Sequence, residues 1–266
     1  MNFNKYSRRR FFGMSFFLAG IPIGFSTTRA SMLTYSLVPD VSDQERIKGL
    51  LKQKNPLIWL FTGDSITQGA EHTHGYRSYP EIFAERIRYE MGRFRDIVIN
   101  TGISGNTTQN ILDDFDWRIG QFKPVVVSLM IGTNDCSKKE INQDVFEQKL
   151  DSLLAQIRGS GAIPILQTPN IIIKEKAPER AKLFEYITIL QSLAKKRKVI
   201  LVDNYNYWEN ILKNHPEINV YKKWLNDPLH PNGTGHQEIA RLMFKELSIF
   251  DSKAATCGGK YYEGDH

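Results

Sequence analysis

Ser65, in Gly63-Asp64-Ser65-Ile66, and His230, in Asp227-Pro228-Leu229-His230-Pro231, are a hydroxyl and an imidazole whose surroundings suit a nucleophile and its base. A serine hydroxyl attacks a carbonyl only when a neighbouring base takes its proton. Asp227, three residues before His230, can accept a hydrogen bond from one ring nitrogen while the other faces the serine. That fixes the tautomer and stabilises the imidazolium. Pro228 and Pro231 stiffen the loop that carries the pair. Two further blocks, Ile103-Ser104-Gly105-Asn106-Thr107 and Gly132-Thr133-Asn134-Asp135, supply donors. The Gly105 N–H, the Asn134 side-chain amide and the N–H of Ser65 itself can hold a developing oxyanion, each such donor being worth about 10²–10³ in rate. Together these are the parts that ester hydrolysis through an acyl-serine needs.

Each block alone has a plain reading. Gly-Asp-Ser occurs in many turns, with Asp64 as a helix N-cap. Gly105 is also a helix-entry glycine, Asn134 a cap or turn residue, and Asp227/His230 a surface pair in a proline-rich loop. What carries weight is that all four fall, in order, at the ends of strands.

Those strands are read from apolar runs bounded by turn residues. They cover 57–61, 97–100, 125–130, 163–166 and 199–202. Between them lie helical patterns at 79–91, 108–119, 142–158 and 177–196, with a closing helix at 236–248. Ser42-Asp43-Gln44-Glu45 reads as a capping box that opens a short helix before the first strand. Strands alternating with helices predict an α/β fold with a five-stranded parallel sheet covered on both faces. In such sheets ligands bind beyond the carboxyl ends of the strands, where Ser65, Gly105 and Asn134 fall.

At 266 residues, 41% hydrophobic and 24% charged, the chain suits one globular domain. The formal charge of +6 is concentrated. Residues 1–30 hold Lys5, Arg8, Arg9, Arg10 and Arg29 and no acid, so the remainder is near neutral, without a basic stripe for nucleic acid. That segment reads as an export signal of twin-arginine type: Ser7-Arg8-Arg9-Arg10-Phe11-Phe12, an apolar run to Phe25, then Thr28-Arg29-Ala30 as a cleavage site. The run is shorter than the ~20 residues of a spanning helix. The expectation is a hydrolase domain over 31–250 in the bacterial periplasm or outside the cell, with no membrane span after cleavage and a flexible tail over 251–266. Two cysteines, Cys136 and Cys257, leave a disulfide open.

Several other residues are candidates for the site. Asp64, Tyr76 and Arg77, beside the nucleophile, are expected to contact substrate. His72 and His74 look superficially like metal ligands, but no third ligand suggests itself, and no metal is expected. Tyr205, Tyr207, Trp208, Tyr221 and Trp224 cluster before Asp227 and read mostly as core, with one or two free to face a sugar ring. Asn106 and Asp135 are expected to brace the loops.

With these residues in place, the sequence resembles the GDSL family of the SGNH hydrolase superfamily over roughly Leu57 to Leu247. The family is named for a serine, glycine, asparagine and histidine in four blocks. These fall here on Ser65, Gly105, Asn134 and His230, with Asp227 in the usual place before the histidine. Ile66 stands where the name-giving pattern has leucine, a conservative change. The resemblance implies a flavodoxin-like three-layer α/β/α sandwich and an esterase, lipase, thioesterase or carbohydrate deacetylase without metal or organic cofactor. A nucleophile-elbow hydrolase does not fit, because Gly-x-Ser-x-Gly is absent around Ser65. The expected substrate is a small ester or acylated carbohydrate, with acetyl favoured. A lipid esterase is the alternative within hydrolysis, and a catalytically silent carbohydrate-binding or surface protein on the same fold the alternative of another class.

Overall fold

A computed structural model describes residues 41–69 and 71–261. The expected export signal, residues 1–30, lies outside the described residues. Five strands, β1 (Ile58–Gly63), β2 (Ile97–Asn100), β3 (Val126–Met130), β4 (Ile163–Thr168) and β5 (Ile200–Asp203), form one parallel sheet in the order β2-β1-β3-β4-β5. Sequence position explains which strand goes where. The three central strands β1, β3 and β4 are mostly apolar and almost wholly buried, as strands covered on both faces must be. The edge strands β2 and β5 keep partly exposed positions.

Helices cover the sheet as two groups. The first contains α4 (Thr108–Asp113), α6 (Gln143–Gly159) and α7 (Leu183–Arg197), with α6 packed on both of the others and α6 and α7 packed on β4. The second contains α3 (Tyr79–Glu85) and α10 (Gly233–Glu246), which pack together and reach β2 and β5 respectively. This is the three-layer α/β/α sandwich that the alternation predicts. Between strand and helix layers the aromatic core is tight: Phe83 meets Trp59 and Phe61 edge-on, each at 5.0 Å between ring centroids.

Three local expectations change. The helix expected over 79–91 is α-helical only to Glu85 and continues as a π-helical stretch, Arg86–Glu90. The helix expected from 177 begins at Leu183, because Pro178–Arg180 forms a separate 3₁₀ turn that carries Arg180 toward the site. Two helices, α8 (Asn204–Asn214) and α9 (Val220–Trp224), arise where the sequence shows an aromatic cluster. The described part of the stretch expected to be a flexible tail makes contacts with the domain: Thr256 and Cys257 are buried, and Thr256 donates to the Glu90 carboxylate. Cys136 and Cys257 are both buried and unpaired. Among the described residues, no helix is long and apolar enough to cross a membrane.

Candidate active site

The site forms at the carboxyl ends of β1, β2 and β3, where strand order reverses about β1. At the end of β1, Gly63 passes so close to β3 that a Cβ there would lie 2.2 Å from Met130 O, so only glycine fits. Asp64 then caps the short helix α2 (Ser65–Gln68), its Oδ1 accepting from Ile66 N at 3.0 Å. Ser65 opens that helix, so its N–H is one of the first-turn donors with no intrahelical partner.

Ser65 Oγ lies 2.9 Å from His230 Nε2, and His230 Nδ1 lies 2.7 Å from Asp227 Oδ2. The second contact assigns Nδ1 as the protonated nitrogen, which leaves Nε2 to accept from the serine. The other carboxylate oxygen, Asp227 Oδ1, accepts from Leu229 N and His230 N, both at 2.8 Å. A short hairpin holds the loop, with Asn226 N donating to His230 O and a bridge between Leu225 and Pro231. It is tied to the segment after β4, where Ile173 N donates to Pro228 O and Asn170 Nδ2 to Leu229 O.

Burial pushes the Asp227 carboxyl upward, but the His230 and Leu229 N–H groups and the imidazole outweigh it and hold the carboxyl below its ordinary range. Burial likewise lowers the pKa of His230. The Asp227 carboxylate opposes that shift, while His72 and Arg180 add to it, and the net displacement is downward. At neutral pH His230 is therefore neutral and Asp227 ionised.

The loop after β2 brings up the second block. Ile103 N donates to Gly63 O, and Asn106 N closes a turn on Ile103 O. At its apex Gly105 adopts φ +78°, a left-handed conformation that suits glycine. From the loop after β3, Asn134 Nδ2 donates to Asn106 O at 3.0 Å, leaving its second hydrogen free of that bond. Asp135 braces this side as expected: it is fully buried and accepts from the N–H and hydroxyl of Thr108 at 2.9 and 2.6 Å. Ser65, His230 and Asp227 are thus joined by hydrogen bonds, and the Asn134 amide is bonded to the Gly105 loop at Asn106.

Two arginines in the assembly were not legible in the sequence. Arg118 is fully buried, and its guanidinium donates to Gly63 O at 2.9 Å, Thr101 O at 2.7 Å and Asn106 Oδ1, binding the ends of β1 and β2 to the Gly105 loop. Arg180 donates through Nε to Thr133 O and through Nη2 to Asn134 Oδ1, both at 3.1 Å. That second bond fixes which way the Asn134 amide faces.

The three residues expected to touch substrate fare differently. Asp64 is buried and caps α2, with its carboxyl pushed up to about 7 by burial. The guanidinium of Arg77 is engaged by Glu85 and Tyr261. Tyr76 is 73% exposed and packs over Gly233 near the His230 loop, in a position open to a ligand. Most of the aromatic cluster is core: Trp208, Tyr205 and Trp224 are buried, the two tryptophans meeting edge-on at 4.9 Å.

His72 sits against His230 and Asp227. Its ring lies parallel to that of His230, 1° between planes and 3.5 Å between centroids, with Nδ1 3.4 Å from Asp227 Oδ2. His72, Asp227 and His230 thus gather three ligand-type atoms within 4.8 Å. Imidazole nitrogens donate their lone pairs in the ring plane, and two parallel planes 3.5 Å apart share no point for one ion. The arrangement suits two imidazoles on one carboxylate better than a metal.

Comparison with known proteins agrees with the geometry. Residues 61–238 match the GDSL-like Lipase/Acylhydrolase family. The chain is 28% identical over 209 residues to an acetylxylan esterase of Geobacillus stearothermophilus, covering 71% of this chain and 93% of that protein. A solved structure of Axe2, an acetylxylan esterase from the same organism, superposes with a TM-score of 0.60 at 26% identity, over 72% of this chain and 94% of the other. The fold is shared as well with LAE5, an alpha/beta hydrolase from the metagenome of Lake Arreo, at TM-score 0.63 and 23% identity, covering 75% of this chain and 99% of that one. An uncharacterized lipoprotein of Bacillus subtilis, YqeF, is 28% identical over 171 residues, 55% of this chain and 70% of its own length. This chain belongs to the GDSL-like lipase/acylhydrolase family and is a carboxylic-ester hydrolase.

Proposed function

We propose that the protein is an exported serine esterase that removes short acyl groups, chiefly acetyl, from carbohydrate. Ser65, His230 and Asp227 form its triad, and the N–H groups of Ser65 and Gly105 with the Asn134 amide form its oxyanion hole. The observation that carries this reading is the unbroken relay from Ser65 Oγ to His230 Nε2 at 2.9 Å and from His230 Nδ1 to Asp227 Oδ2 at 2.7 Å. Acetyl on carbohydrate is supported by the acetylxylan esterase, which aligns over 93% of its own length. Export is supported by the composition of residues 1–30 and by the lipoprotein relative.

The reaction runs in two halves. Ser65 Oγ attacks the ester carbonyl as His230 Nε2 takes its proton, and the carbonyl oxygen becomes an oxyanion held by the three donors. When the tetrahedral intermediate collapses, the C–O bond to the alcohol breaks and His230 returns the proton to the leaving oxygen. Water then attacks the acyl-serine by the same route, giving the acid and free Ser65. Throughout, Asp227 holds the imidazole in one tautomer and balances its charge.

The test is an acyl-chain series of p-nitrophenyl esters, acetate to palmitate, on protein beginning at Ser31, with Ser65→Ala as control. Highest kcat/KM on acetate, with a loss of at least about 10⁴-fold in the variant, supports the proposal. Preference for palmitate turns the substrate class to lipid. Undiminished turnover by Ser65→Ala removes the assignment of the nucleophile.

A further inference from the structure

We propose that His72 is a positioning residue of the triad: its ring covers one face of His230, and its Nδ1 shares the Asp227 carboxylate, so the loop after the nucleophile sets the plane of the general base. The inference rests on the assignment of Ser65, His230 and Asp227 as the triad.

His230 belongs to no helix or strand, so its ring needs external support. Hydrogen bonds hold it at two points on its edge, Nδ1 on Asp227 and Nε2 on Ser65. Two edge contacts leave one motion free, a tilt of the ring about the line joining them. A flat group against one face blocks that tilt, and His72 is such a group, parallel within 1° at 3.5 Å. Tilting misdirects the Nε2 lone pair from Ser65 Oγ, and misplacement on the ångström scale costs up to about 10²-fold in rate.

The loop that carries His72 is built for this reach. Gly69, Glu71, His74 and Gly75 all take left-handed φ, at 74°, 60°, 51° and 83°. For Glu71 and His74 that costs about 1–2 kcal/mol each, which the surrounding contacts must offset. Those contacts land on the His230 segment: His72 on Asp227 and His230, the His74 imidazole on the Asn226 side chain, and Tyr76 over Gly233. Nucleophile and base are thereby linked by a strap of chain that starts at the helix opened by Ser65.

The titratable and charged groups facing His230 are Asp227, His72, Arg180 and His236, and those facing His72 are Asp227, His230 and His236. The His72 imidazole lying on the face of His230 adds, by repulsion, to the downward displacement of the His230 pKa. Taking the second imidazole away removes that repulsion and lets His230 protonate at higher pH.

The experiment uses the same Ser31-start protein and compares wild type, His72→Ala and His72→Phe, after Ser65 labelling by a fluorophosphonate has been shown in wild type and lost in Ser65→Ala. Failure of that labelling refutes the triad itself and is distinct from failure here. On p-nitrophenyl acetate at pH 8, His72→Ala is expected to lose about tenfold in kcat, with KM within about twofold of wild type. The acid limb of its kcat/KM profile moves to higher pH. His72→Phe restores the flat face and most of kcat but keeps the displaced acid limb. Should His72→Ala not fold, His72→Asn is judged by the same acid limb. A variant lacking the imidazole that keeps wild-type kcat and acid limb overturns the proposal. So does a rise in KM alone, which makes His72 a substrate contact, or a phenylalanine variant as slow as the alanine one.

Discussion

Replacing Asp227 with asparagine changes one oxygen to an amide nitrogen, and the hydrogen bonds around that side chain decide how the site responds. Oδ1 accepts two backbone N–H groups at 2.8 Å each, whereas Oδ2 accepts the His230 Nδ1–H at 2.7 Å and has His72 Nδ1 farther off at 3.4 Å. The new amide can aim its oxygen at only one side. Facing the backbone, it keeps both bonds, and the imidazole recovers by moving its proton to Nε2. Facing the imidazole, it sets NH₂ against two N–H donors, which leaves both unsatisfied at about 1–1.5 kcal/mol each, the low end of the usual range because the side chain is partly exposed. The first orientation is favoured by about 2–3 kcal/mol, and in it Nε2 carries a proton and cannot take one from Ser65. At 1.36 kcal/mol per decade this alone costs roughly 30- to 150-fold. Losing the carboxylate's bond to the developing imidazolium removes about another 1.5–3 kcal/mol.

The expected total is a fall of about 10³–10⁴ in kcat for Asp227→Asn, with KM little changed. Because the favoured orientation preserves both backbone bonds, the Tm should stay close to wild type. Steady-state kinetics on p-nitrophenyl acetate at pH 8, with a thermal melt of each protein, measures both quantities. A variant that keeps more than about a tenth of wild-type kcat refutes the tautomer argument. One that loses activity and several degrees of Tm together refutes the view that the backbone bonds survive.

The charges around the site set two further outcomes. Arg180→Gln takes a cation from the vicinity of His230 and frees Asn134 Oδ1, so kcat should fall about 10- to 100-fold, and the acid limb of kcat/KM should move to higher pH. The wild-type limb should lie below the ordinary imidazole value of 6.5, since His230 is displaced downward. An unchanged limb in the variant would remove Arg180 from the electrostatics of the base. The second outcome concerns stability. His236 is buried, and burial lowers its pKa from 6.5 to about 3, with Nδ1 accepting from Tyr79 N at 3.2 Å. The folded pKa is depressed, so the unfolded chain takes the proton first as pH falls. The stabilisation is complete above 6.5 and is lost between there and about 3. Urea unfolding at pH 7 and pH 5 should show wild type losing about 1–2 kcal/mol more than His236→Asn, and equal losses would contradict the assignment.

The sequence made the sheet and the four blocks legible because both are written locally. A central strand such as Val126–Met130 is a run of apolar residues whoever its neighbours are, and Asp227 and His230 lie three positions apart. Arg180 illustrates the opposite case. It stands in a Pro-Glu-Arg turn 46 residues from Asn134, and nothing in its neighbours says that its guanidinium will orient that amide. Arg118 is similar: an arginine among charged residues reads as exposed, yet it is buried because three acceptors converge on it after β1 and β2 pair. The contacts of the C-terminal segment were hidden for the same reason. Its composition is polar and rich in glycine, but Glu90, 166 positions away, supplies the partner for Thr256.

His72 connects these two kinds of information. Its short loop, with histidines at 72 and 74, has the superficial look of a ligand pair, because residue types alone do not tell a ligand from a brace. Ring orientation does. Two imidazoles aimed in-plane at one point hold an ion, whereas two lying face to face support each other on a shared carboxylate. The parallel stack at 3.5 Å is the ground for our proposal that this cluster of three potential ligands supports the general base. It also gives the loop after Ser65 a reason to hold residues in left-handed conformations: the chain must double back within a few residues of the nucleophile to reach the far side of the histidine that activates it.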